Sequence, residues 1–158
     1  MPEPFSPILS HHLSKAETTS TQFAVLASLV GQTITSFQTW LRKLPSVLET
    51  TVWIDHPNPP PSCETDMKFG IAIMRGKSEW GLFWNQCGAP PDEDAFVEPT
   101  EGWEPIESAT MVLKATAVTM LPRLVKTMNE EQEQVIRHML IAAKTVGATA
   151  NNGAKEGK

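Results

Sequence analysis

The sequence predicts an α+β fold: a three-stranded antiparallel meander covered by one long N-terminal helix and two C-terminal helices. Three observations lead there. Met67–Gln86 alternates apolar and small or polar residues with period two on both sides of Gly76-Lys77-Ser78-Glu79, which reads as a β-hairpin. Phe23, Ala27, Val30, Ile34, Phe37, Leu41 and Leu44 recur at steps of four and three, which reads as a helix. Ile106, Ala109, Leu113, Ala117, Met120, Leu124 and Met128 repeat that spacing near the C-terminus.

The hairpin fixes the rest. With Lys77 and Ser78 as loop residues, Ile73 faces Leu82, Ile71 faces Trp84, Phe69 faces Gln86 and Arg75 faces Trp80. Phe69, Ile71, Ile73, Trp80, Leu82 and Trp84 then share one face, which is what sets a register. An isolated hairpin is marginal in water, so that face needs a cover.

In chain order, residues 1–17 read as a flexible arm, because Pro2, Pro4 and Pro7 interrupt any helix. The adjacent His11 and His12 read as part of a polar tail. Thr18-Thr19-Ser20-Thr21 supplies capping residues for a helix predicted over 21–44. No charged residue occurs from Thr18 to Leu41, whereas an exposed helix carries charges on its outer face. Seven interspersed Gln, Ser and Thr residues argue against a membrane span. Two readings fit: a central helix packed on several sides, or a helix with one face against another protein. In the second, Phe23, Ala27, Val30, Ile34, Phe37, Trp40 and Leu41 form a self-association surface.

Pro45 ends that helix. Val47–Asp55 is the next predicted strand, with Trp53 on its polar face. His56-Pro57-Asn58-Pro59-Pro60-Pro61 follows as a stiff polyproline loop. Met67–Arg75 and Trp80–Gln86 complete the predicted meander. Pro105 suits the first turn of a helix predicted over 106–128, with a kink expected at Pro122. Asn129 then reads as the N-cap of a last helix over 130–146, and Gly147 as its C-cap. Residues 148–158 read as a disordered tail, leaving a single domain over 18–147.

Charge is unevenly spread. Residues 1–44 carry net +1, residues 45–113 net −9 and residues 114–158 net +3, for −5 in all. An acidic chain of this kind is a poor general ligand for nucleic acid or an anionic membrane. The acidic part centres on Cys87–Glu107, where Asp92, Glu93, Asp94, Glu98, Glu101, Glu104 and Glu107 stand without a basic residue. Phe96 and Trp103 are interleaved among them. Aromatic anchors in a charged rim are a common interface design, so Asp92, Glu93, Asp94, Phe96, Glu98, Glu101 and Trp103 are the candidate partner-binding residues.

Chemistry-bearing motifs are weak. Gly76-Lys77-Ser78 has Ile71 where a P-loop needs a Gly with four residues between it and Gly76, and a strand follows rather than a helix. Cys63, Cys87 and His56 match no zinc spacing, and Asp92-Glu93-Asp94 lacks the loop of an EF-hand. Two cysteines make no disulfide framework, and MPEPFSPILSHH lacks the basic start and apolar run of a signal peptide. The expected location is cytoplasmic. No cofactor, metal or catalytic residue is expected, though Asp55, His56 and Cys63 are the place where a small enzyme site would form.

The leading expectation is a non-enzymatic adaptor or regulator that binds another protein and forms a homodimer. The alternatives are a small acidic inhibitor that competes with nucleic acid for a basic surface, and a small enzyme. In layout alone, the order helix, three strands, two helices is similar to secretion chaperones and related dimeric adaptors, which implies a dimer but no particular activity.

Overall fold

The computed structural model describes residues 7–59, 67–87 and 102–153. Its class is the expected α+β, with a four-stranded antiparallel sheet and two helices. Helix α1 spans Pro7–Lys43 and α2 spans Met111–Gly153. Strands β1 (Thr50–Asp55), β2 (Lys68–Arg75), β3 (Trp80–Cys87) and β4 (Glu104–Pro105) pair in the order β1-β2-β3-β4. A single 3-10 turn, Ile106–Ser108, links β4 to α2.

The hairpin has the expected register. Ile73 pairs with Leu82, Ile71 with Trp84, Phe69 with Gln86 and Arg75 with Trp80. The Gly76 N–H donates to the Glu79 carbonyl at 2.8 Å and closes the turn. The apolar face that this register creates is the core. Val52, Phe69, Ile71, Ile73 and Leu82 are buried together with Ile34 and Leu41 of α1 and Leu113, Ala117, Leu124 and Met128 of α2.

Several expectations about the elements need correction. The sheet has a fourth strand: Pro105 pairs with Phe83 and Glu104 with Trp84. Pro105 therefore lies in an edge strand rather than in a helix. Its φ of −55° and ψ of 140° are extended, and an edge strand tolerates a residue with no donor. Helix α2 starts at Met111 instead, where the Thr110 hydroxyl accepts from the Leu113 N–H at 3.5 Å.

The two predicted C-terminal helices are one. α2 runs without a break through Pro122, Asn129 and Gly147. Its buried positions Leu113, Ala117, Met120, Leu121, Leu124 and Met128 pass straight through the proline. Packing of that face outweighs a proline penalty of about 3 kcal/mol. At the other end, α1 starts at Pro7 and not at Thr21. The expected capping residues are interior ones: Thr18 Oγ1 donates to the Ser14 carbonyl and Thr21 Oγ1 to the Glu17 carbonyl, each back by four residues.

Length sets what the sheet can cover. An eight-residue strand is about 26 Å long. At 1.5 Å per residue, α1 is about 55 Å long and α2 about 64 Å. The sheet therefore holds only part of each helix. On α1 the buried residues are Ile34, Gln38 and Leu41, all in its last three turns. On α2 the last buried residue is Met128, 25 positions before its end. The remaining lengths project as single-helix extensions. No helix among the described residues is long and apolar enough to cross a membrane.

Candidate functional site

β4 is two residues long, so it covers β3 only at Phe83 and Trp84. Beyond it the free edge of β3 is closed by side chains of α1. Gln38 Oε1 accepts from the Leu82 N–H at 3.2 Å, and Gln38 Nε2 donates to Glu107 Oε1 at 2.7 Å. Arg42 Nε donates to the Trp80 carbonyl at 3.3 Å and lies 3.1 Å from Glu79 Oε2. A side-chain amide thus stands in for a strand, which is one way to blunt a sheet edge. Beside this contact is a hollow of about 530 Å³ whose lining includes Arg42, Arg75, Lys77, Glu79, Trp80 and Phe83. Its cations are partly balanced by Glu79 and Glu107, and the lining is open to solvent.

A second contact anchors α2 at the opposite edge. Thr50 Oγ1, on a buried residue of β1, donates to Glu131 Oε2 at 2.7 Å. One residue on, Gln132 Nε2 donates to the Ser46 carbonyl at 3.2 Å. From Glu133 to Gly147 every residue of α2 is exposed.

The outer face of the sheet carries the aromatic pair Trp53 and Trp103, with ring centroids 5.3 Å apart. Trp53 lies over Gly70, where a Cβ would come within 2.6 Å of the indole. Trp103 is half-buried. It is the single candidate partner-binding residue within the described regions. Asp92, Glu93, Asp94, Phe96, Glu98 and Glu101 lie outside them, as does Cys63.

His56, the centre of the alternative enzyme site, has Nε2 3.1 Å from Gln86 Oε1, and its ring meets Phe69 edge-on at 6.2 Å. Asp55 is ion-paired with Lys68. Among the described residues, no group of His, Cys, Asp and Glu is placed to hold a metal ion.

The candidate self-association residues divide. Ile34 and Leu41 are buried in the core, and Val30 and Phe37 pack against it. For that half of the seam the central-helix reading applies. Trp40 is 40% exposed, with its ring 5.5 Å from Phe37. Ala27 is half-buried, and Phe23 is 60% exposed. Around Phe23 the α1 extension also exposes Leu9, Leu13, Val25, Leu26 and Leu29.

The apolar face of the last predicted helix, with Ile136, Met139 and Val146, was expected to cover the sheet; in the structure it is bare and is the matching feature on α2. Val135, Ile136, Met139, Leu140, Ile141 and Val146 are all exposed. Away from Val135, Met139 and Val146 the helix carries ordinary solvent-facing i,i+4 pairs, Lys126 with Glu130 at 3.7 Å and Glu133 with Arg137 at 3.5 Å, and Ile141 lies on that charged side. The signal was available. An apolar stripe far longer than any strand in the chain cannot all be covered by the sheet.

Compared with known proteins, the chain matches no family model, no curated protein and no solved structure.

Proposed function

We propose that this chain is a non-enzymatic interaction protein, an adaptor or regulator that binds another protein and works as a homodimer. The observation that carries the reading is the bare apolar surface on the two helix extensions. Monomeric soluble proteins rarely expose contiguous apolar patches beyond a few hundred Å². The absence of charge from Thr18 to Leu41 supports it, because a solvated helix face normally carries Lys and Glu.

The partner-facing part in this reading is the acidic segment, Asp92 to Glu101, together with Trp103. Its charge suits a partner with a basic surface, which includes the surface of a nucleic-acid-binding protein. The competing class is an enzyme with a site near Asp55, His56 and Cys63.

Sedimentation at micromolar concentration tests the homodimer, and a monomer of 17.4 kDa would remove it. Capture of partners from the native host at low and high salt tests the acidic surface. Exposed charge attraction weakens as the Debye length falls from about 10 Å at 0.1 M to about 3 Å at 1 M salt. A cellular function lost on His56→Ala with Cys63→Ala, while partner capture persists, would favour the enzyme.

A further inference from the structure

We infer that the interface between two copies is crossed: the α1 extension of each copy lies along the α2 extension of the other. This rests on the homodimer reading above and specifies its geometry.

Each extension continues a face that is already buried in the core. On α2, Leu121, Leu124 and Met128 are buried, and Val135, Met139 and Val146 fall on the same side of the helix at steps that sum to whole turns. On α1, Leu41 and Ile34 are buried, and Ala27 and Phe23 continue that side outward. Inside the core, α1 and α2 touch, and Ile34 and Leu41 belong to the same cluster as Leu113, Ala117 and Leu124. The exposed parts are therefore surfaces of a kind that the fold already joins.

The extensions also fit in size. Residues 7–29 of α1 span about 34 Å and residues 133–153 of α2 about 31 Å. Val25, Leu29 and Ile141 point away from these two sides; the other ten exposed large apolar side chains, at roughly 60–120 Å² when fully bare and on average a little over half exposed, hold on the order of 500 Å² per chain. Two copies together would then bury about the 1,000 Å² that a biological interface has to clear.

Pairing α1 with α1 would leave the α2 stripe bare, and pairing α2 with α2 would leave α1 bare. The crossed arrangement covers both. It also makes the contact twice across a two-fold axis, as an isologous dimer requires.

Two measurements on the full chain test this. Sedimentation should give twice the chain mass for the parent protein and a folded monomer for Val135→Glu with Met139→Glu, the fold being checked by circular dichroism. Cross-linking uses chains in which Cys63 and Cys87 are Ser. A chain carrying Phe23→Cys, mixed with one carrying Met139→Cys, should form a disulfide between unlike chains. A dimer that survives the α2 substitutions, or that links only Phe23→Cys to Phe23→Cys, overturns the crossed geometry and leaves self-association standing. A monomeric parent overturns both. A monomer that also floats with phosphatidylcholine–phosphatidylglycerol vesicles would assign the bare faces to a membrane surface instead.

Discussion

The indole of Trp53 rests on the backbone of Gly70, with Cε3 2.6 Å from where a Cβ would stand. Trp53 and Gly70 are also direct partners in the β1–β2 ladder. No real Cβ fits at that distance, so Gly70→Ala has to displace the ring or the strand. The expected loss is about 1–3 kcal/mol of stability, as for other overpacked sites. Urea denaturation measures it. The same substitution in a Trp53→Ala background should cost clearly less, because the clash is gone.

Gln38 is the buried polar residue in the charge-free part of α1. Removing its amide strands the Leu82 N–H at a sheet edge, away from water. Gln38→Leu should therefore lose about 1–3 kcal/mol, the cost of an unsatisfied buried donor. Glu107→Gln, altering the exposed end of the same chain of contacts, should change stability by less than about 1 kcal/mol.

The Thr50–Glu131 hydrogen bond joins the start of β1 to the point where α2 leaves the core. Hydrogen bonds to charged groups contribute about 1.5–3 kcal/mol. Thr50→Val and Glu131→Ala should each destabilise by about that order. A double-mutant cycle should show strong coupling, and additive losses would show that the two side chains do not act on each other.

Ile71 is fully buried at the middle of the sheet, whereas Thr51 faces solvent on β1. Ile71→Ala should cost about 2–5 kcal/mol through lost burial and a residual cavity. Thr51→Ala should stay within about 0.5 kcal/mol. Equal midpoints for the two variants in urea would contradict the placement of the core.

Hydrogen exchange reads the extensions directly. In the self-associated protein, amides near Phe23 and near Met139 should be protected together, and dilution to monomer should release both together. Amides of Ile34–Lys43 should stay protected throughout, since that part of α1 is held by the sheet.

Much of this was legible in the sequence, and the reasons are local. The Ile71–Trp84 pairing follows from period-two alternation around a short turn, so no distant information is needed. That helices flank the sheet follows from spacing, but neither their number nor their ends do. What was not legible depends on distant partners. β4 is two residues with a proline, too short for any pattern, and exists because Phe83 and Trp84 are there to pair with. Pro122 and Asn129 look like breaks, and the continuous buried face of α2 overrides them. Gln38 is unremarkable in sequence, and its role comes from Leu82 and Glu107, 44 and 69 residues away. The partner-binding residues were argued from composition alone, and composition does not place them.

The order of the elements has a consequence for synthesis on the ribosome. β1, β2 and β3 are neighbours in both sequence and space, so the sheet can form as soon as Cys87 emerges. The residues of α2 that cover its inner face, Leu113 to Met128, emerge roughly 26–41 residues later. At about 5–20 residues per second, Phe69, Ile71 and Leu82 wait for seconds with only α1 against them. α1 is already complete at that stage, so its apolar face shields the nascent sheet until α2 arrives.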